Sequence, residues 1–204
     1  MNKRTIITTL LAIVSLAGQA QEIGMAKPTA EDYIKLLNHQ GYHVFALDLS
    51  NLEKDKYLMH PVIQVYSQGK LEQDLLEDWG IGYTNSSPKI TVGFIPSKVD
   101  SLSTFKFQFD DVCSLALTLP LYPVKNEAEG TEEISYKALP FAIQPTWKEN
   151  EFIPIAAYSS YWYDPDEKIC RNCDALQFDK DFLNSNTFKC SPHIYVLGIT
   201  INKR

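Results

Sequence analysis

The chain has 204 residues and a formal charge of −6, and 45% of it is hydrophobic, with eleven tyrosines and ten phenylalanines. That is enough apolar chain to bury one substantial core but not two comfortable ones, and it is too aromatic for a disordered stalk. The acidic balance, with no run of clustered Lys and Arg, argues against nucleic acid as a partner.

Residues 1–20 have the anatomy of a secretory signal peptide. Lys3 and Arg4 precede an apolar run from Ile6 to Ala17, and Gly18-Gln19-Ala20 supplies small residues at a cleavage site. Cleavage after Ala20 leaves residues 21–204 as the expected single globular domain, soluble and outside the cytoplasm. The apolar run falls short of the roughly 20 residues a spanning helix needs, and no later segment approaches that length, so no membrane span is expected. No cysteine follows close to the cut, which argues against a lipid anchor there.

Thr29 can cap a helix over Ala30–His39, with Asp32 reaching back to it and Tyr33, Leu36 and Leu37 on one face; Gly41 stops it. The pattern then switches to period two. His43, Phe45, Leu47 and Leu49 lie on one side, and Val44, Ala46 and Asp48 on the other. Val62 to Tyr66 predicts a strand and Ser67 to Lys70 a turn, while Leu71 to Trp79 fits a short helix as well as a strand. Lys89 to Phe94 alternates, as do Phe105, Phe107 and Phe109, before a turn at Asp110-Asp111. Cys113 is in phase with Leu115, Leu117 and Leu119 and should face the core. Asn126 to Glu133 reads as a solvated acidic loop. Leu139, Phe141 and Ile143 alternate, but Pro140 and Pro145 push their segment to a sheet edge. Phe152 to Tyr158 is a further strand, Asp164-Pro165 a turn, Asp174 to Asn184 a candidate short helix, and Tyr195 to Ile201 the closing strand.

Many short strands, proline-bearing edges and one secure helix predict a mainly β fold, an antiparallel β-sandwich or jelly roll with one N-terminal helix. The alternative is an α+β fold, which gains if Leu71 to Trp79 and Asp174 to Asn184 are both helical.

The leader Met1-Asn-Lys-Arg, the Ala17-Gly-Gln-Ala-Gln21 junction and the closing Tyr195-Val-Leu-Gly-Ile-Thr-Ile201 together resemble the exported proteins of unknown function from gut Bacteroidetes. That resemblance covers the whole chain in style and implies a periplasmic or cell-surface location. It brings no catalytic residue with it. In such a setting Asp100-Ser101-Leu102 is similar to the tripeptide that those bacteria glycosylate on the hydroxyl, which makes Ser101 the expected glycosylation site.

Cys113, Cys170, Cys173 and Cys190 are an even number of cysteines in a chain read as exported, the usual setting for disulfides. A Cys170–Cys173 bridge closes too small a ring to remove much unfolded-state entropy. Cys190 is therefore expected to pair with Cys170 or Cys173, and Cys113 with the other. Two further readings rank below this one. Cys170-x-x-Cys173 could be a redox pair at a helix start, and Cys170, Cys173, Cys190 and His193 have the spacing of a zinc ribbon. An oxidising compartment works against both, and no metal or cofactor is expected.

Tyr158, Tyr161, Trp162 and Tyr163 form the densest aromatic cluster and are the candidate ligand-binding residues, since apolar sugar faces stack on rings. Continued as one strand, Tyr161 and Tyr163 fall on the face of Ile153 and Ile155, and Trp162 joins Tyr158 on the other. No nucleophile elbow, His-Glu-x-x-His, phosphate loop or dinucleotide fingerprint occurs. His39, His43 and His60 read as surface or capping residues. Asp110-Asp111 and Asp164-x-Asp166-Glu167 sit where turns favour aspartate. The expected function is therefore a non-catalytic exported envelope protein, either glycan-binding or a structural component that meets other envelope proteins. A periplasmic hydrolase or a thiol-disulfide or zinc-site protein is the alternative.

Overall fold

The computed structural model describes residues 26–127, 129–142, 147–172, 176–179 and 181–204. The expected leader, Ile143, Pro145, Cys173 and the start of the helix expected at Asp174 lie outside the described residues. The chain divides into two compact units, Met1–Lys35 and Leu36–Arg204.

In the first unit, the backbone N–H of Thr29 donates to Asp32 Oδ2 at 2.7 Å, its hydroxyl donates to the same oxygen at 2.8 Å, and the Asp32 N–H returns to Thr29 Oγ1 at 3.4 Å. This is the expected capping box, and it starts α1 (Ala30–His39). A solvent-exposed Glu31–Lys35 pair at 2.9 Å adds a few tenths of a kcal/mol. In the second unit the helix ends as predicted at Gly41, whose φ of 85° lets the Tyr42 N–H reach back to the Leu37 carbonyl at 3.0 Å.

The remaining elements are β1 (His43–Asp48), β2 (Tyr57–Ser67), β3 (Lys70–Asp74), β4 (Tyr83–Thr84), β5 (Lys89–Pro96), β6 (Leu102–Gln108), β7 (Ser114–Pro120), β8 (Val124–Asn126), β9 (Thr131–Glu133), β10 (Tyr136–Pro140), β11 (Ile153–Ser160), β12 (Trp162–Asp164), β13 (Ile169–Arg171), α2 (Asn186–Cys190) and β14 (Ile194–Lys203). A four-stranded sheet has the order β1-β5-β6-β7. A six-stranded sheet has the order β10-β11-β14-β2-β3, with β4 also paired to β2. Neighbouring strands in both run antiparallel.

The two sheets face each other, as the alternating pattern predicted. Phe94, Phe105 and Phe107 project from the smaller sheet and Ile63, Leu197 and Ile199 from the larger, all fully buried. Phe94 stacks on Tyr158 at 4.9 Å, and the Phe105 ring lies 4.7 Å from that of Tyr195, so aromatic contacts join the layers. Cys113 packs on the core side with Leu115, Leu117 and Leu119. The proline-bearing segment is an edge strand, β10, as expected.

The larger sheet is covered on its outer face as well. Tyr66, Ala157, Ile194 and Val196 pack there against Phe178 and Phe188. Burial on both faces explains why β14 reads as an almost unbroken apolar run.

One open reading is decided and two expectations need correction. Leu71 to Trp79 is not a helix: β3 pairs with β2 through a two-residue turn at Gln68 (φ 46°) and Gly69 (φ 80°), and only Glu77–Trp79 turns as a 3-10 helix. Within Asp174 to Asn184 the described residues hold one 3-10 turn, Phe182–Asn184, and the true helix, α2, begins after it with Ser185 capping the Phe188 N–H at 3.3 Å. With no α-helix among the described residues of either segment, the mainly β reading holds over the α+β alternative. The acidic loop Asn126 to Glu133 contains part of a hairpin, β8 with β9.

Candidate functional site

Along β2 and β14 the register sets Thr200 opposite His60 and Gly198 opposite Val62. The His60, Val62 and Thr200 side chains share the outer face of the larger sheet, beyond the patch that Phe178 and Phe188 cover. The chain leaving β3 folds back over them. Asp74, Leu76, Glu77, Gly80 and Ile81 wall a cavity of about 290 Å³ floored by His60, Pro61, Val62, Thr200 and Asn202. Its volume lies at the lower edge of small-molecule sites, roughly 300–1,000 Å³.

Local chemistry holds this wall in place. Asp74 Oδ1 accepts the Leu76 N–H at 3.1 Å, the Trp79 N–H donates to the Leu76 carbonyl at 3.1 Å, and Gly80 adopts a left-handed φ of 60°. His60 Nδ1 lies 2.9 Å from the Ile81 carbonyl oxygen. That oxygen can only accept, so in the neutral ring the proton sits on Nδ1 and Nε2 is left as an acceptor. Nε2 is buried without a hydrogen-bond partner, and so is Asn202 Oδ1. Buried polar atoms are normally paired, but these two have under 1 Å² of accessible surface each and so lie behind the cavity surface, out of reach of a molecule in it. The lining carries Asp74 and Glu77 and no Lys or Arg. Trp79, between lining residues Glu77 and Gly80 in sequence, is 53% exposed.

The sequence-predicted aromatic cluster does not assemble. Tyr158 is buried between the sheets, stacked on Phe94 at 4.9 Å and on Tyr136 at 5.0 Å. The cause is a β-bulge between Pro154 and Ala156, which puts Ile155 and Tyr158 on the same core face and overturns the simple alternation. Tyr161, Trp162 and Tyr163 are half-buried, the last two on the β12–β13 hairpin. There Arg171 lies opposite Trp162 and pairs with Asp164 at 2.7 Å and Glu167 at 3.3 Å. Asp164 Oδ1 also accepts the N–H groups of Asp166 and Glu167, so this acidic turn is occupied by its own structure. Asp110 likewise accepts from the Cys113 N–H, from Ser86 Oγ and from the Val112 N–H, which hold its carboxyl down to about 2.

Cys113, Cys170 and Cys190 carry free thiols. The expected bridges are therefore absent among these three, which sit before β7, on β13 and at the end of α2; Cys173 lies outside the described residues. His193 belongs to a separate cluster. Its Nδ1 is 3.0 Å from the Tyr136 hydroxyl, its ring packs 4.7 Å from Tyr122 and 4.5 Å from Tyr195, and burial pushes it down to about 4. Ser191, two residues before it, and Ser159, whose hydroxyl lies 2.8 Å from that of Ser191, are both buried and offer no exposed nucleophile. Ser101 is exposed at the turn between β5 and β6, where its carbonyl accepts the Leu121 N–H at 2.7 Å. No helix among the described residues is long and apolar enough to cross a membrane.

Over residues 12–203 the chain matches the family described as Domain of unknown function (DUF5041). The chain belongs to this family. No curated protein and no solved structure matches it. For this DUF5041 member the site rests on residues that sequence reading passed over. In the sequence His60 reads as a surface or capping residue, and Trp79 closes a segment that fits helix and strand alike. The available signal was local, a Trp-Gly pair after two acidic residues in Glu77-Asp-Trp-Gly80, with nothing to tie it to His60 or Asn202.

Proposed function

We propose that this protein is a non-catalytic exported envelope protein that binds carbohydrate in the His60 pocket. The observation that carries the reading is a cavity of about 290 Å³ lined by the polar residues His60, Asp74, Glu77, Thr200 and Asn202, next in sequence to an exposed tryptophan. Sugars offer hydroxyls to polar groups of this kind and an apolar ring face to an indole. The leader-like residues 1–20 and the resemblance to exported proteins of gut Bacteroidetes support a periplasmic or cell-surface location, with Ser101, exposed at its turn, as a glycosylation site. A glycan array followed by calorimetry on the hits tests the reading. Trp79→Ala should weaken any bound glycan by roughly fivefold or more, about 1 kcal/mol, and a folded protein that binds no glycan overturns it.

A second role, as a component of a surface assembly, is favoured by the exposed apolar side chains of α1: Tyr33 and Ile34 in the first unit, Leu36 and Leu37 in the second. Cross-linking in the native envelope should then capture partners through α1, and charged substitutions at Leu36 and Leu37 should abolish the capture.

A further inference from the structure

We propose that β7 is the contact edge of a two-fold symmetric dimer, in which the β7 strands of two copies pair antiparallel about Ala116 and join their smaller sheets into one. β7 ends the smaller sheet, and no strand among the described residues pairs with its outer side. The register fixes where its backbone groups point. The Phe109 N–H donates to the Cys113 carbonyl at 3.0 Å and the Leu121 N–H to the Ser101 carbonyl at 2.7 Å, and both pairs continue the register that sets Phe105 opposite Leu117. Bonded and non-bonded pairs alternate in an antiparallel ladder. Leu115, Leu117 and Leu119 therefore exchange their bonds with β6, and the N–H and carbonyl groups of Ser114, Ala116 and Thr118 point away from the sheet. Pro120, which has no N–H to give, falls in this outward set, and its carbonyl accepts the Tyr195 hydroxyl at 2.7 Å.

Sheet edges that must stay single are blunted by charge or proline. β3 carries Lys70, Glu72 and Asp74, β10 carries Lys137 and Pro140, and β1 ends in Asp48, whereas Ser114 to Leu119 carries neither. The β7 edge is also complementary to itself, as a two-fold contact requires. Pairing about Ala116 sets Ala116 against its own copy and Ser114 against Thr118 of the second copy, so the outward groups of all three residues are bonded. On the inner face Leu115 meets Leu117 of the second copy, which covers half-buried leucines at the open side of the core. Val112 and Tyr122, 89% and 50% exposed, flank β7, and the pairing sets Val112 opposite Pro120 of the second copy, two residues from its Tyr122. Like charges stay apart. The nearest across the axis are the two Lys106 side chains, each beside Ala116 on β6, three strand spacings or roughly 14 Å from one another and beyond the screening length of about 8 Å.

Sedimentation velocity on the protein from about 1 µM to about 1 mM, the range of a contact this small, should show monomer passing to dimer and no larger species. Amide exchange followed by NMR should show the N–H groups of Ser114, Ala116 and Thr118 gaining protection as the dimer fills. Ala116→Pro removes an outward N–H that β6 does not use, and with it two bonds at the symmetry axis. With its melt checked against the parent, this variant should weaken the dimer about tenfold or more. Ala116→Lys leaves the backbone groups in place but opposes like charges across the axis, and it should weaken the dimer as well. A monomer across the whole range overturns the proposal. So does a dimer that both variants leave intact, or one whose newly protected amides lie outside β7, on α1 for instance.

Discussion

His60 Nδ1 sits 2.9 Å from the carbonyl oxygen of Ile81, so a residue on β2 ties down the wall of its own pocket from the chain that follows β3. The ring lies over Gly82, where an added Cβ would meet His60 Cε1 at 2.8 Å and Nδ1 at 3.2 Å. Gly82→Ala should therefore displace the imidazole rather than the backbone. The expected outcome is ligand binding weakened severalfold with the melting temperature within about 2 °C, a surface-scale change. Calorimetry and a thermal melt on the same sample check it.

Gly198 shows a closer approach with the opposite consequence. A Cβ there falls inside the carbonyl oxygen of Ile153, 2.5 Å from Phe152 Cε2 and 2.9 Å from Pro154 Cα. Two of these three atoms are backbone, at the bulge of β11, and cannot swing aside. Gly198→Ala should cost about 3 kcal/mol or more, at or above the usual range for overpacking. Denaturant unfolding measures this directly, and a loss under about 1 kcal/mol would mean the β11–β14 pairing is looser than described.

Much of this architecture is legible from the residues. The alternation of Ile90, Val92 and Phe94, and of Phe105, Phe107 and Phe109, predicts strands with those side chains inward, and all six are buried. Thr29 and Asp32 predict the helix start, and Gly41 its end, because capping and left-handed turns are local chemistry. The pocket is not legible in the same way. His60 and Asn202 meet only because β14 pairs with β2 in one register, and local pattern does not specify which distant strands pair. The β11 bulge is equally hidden: one extra residue moves Tyr158 from a proposed platform into the core without changing the apolar pattern.

The buried His193 makes stability depend on pH. Burial lowers its folded-state value to about 4, against about 6.5 in an unfolded chain. Between these values the unfolded state binds more protons, so stability should fall as pH drops from 6.5 through 4. His193→Gln keeps a polar partner for the Tyr136 hydroxyl but cannot take up the proton. Melts across that window should show a shallower loss in the variant than in the parent, and parallel curves would assign the acid sensitivity to other groups.

The cysteines separate the structure from the disulfide expectation. Cys190 is exposed, whereas Cys113 is half-buried and its thiol is pushed up by burial and then by the Asp110 carboxylate. Without reductant, a maleimide should label Cys190 first and Cys113 much more slowly. A Cys190 that reacts only after reduction would instead place it in a disulfide.

The central claim is that carbohydrate is held at His60 and Trp79, and an NMR titration of the isotopically labelled protein with the tightest-binding sugar tests it most directly. The account predicts saturable shifts at the Trp79 indole N–H, the His60 ring and the Asn202 side-chain amide, with Tyr161, Trp162 and Tyr163 unmoved. Shifts confined to Tyr161, Trp162 and Tyr163, or none anywhere at saturating sugar, would contradict it.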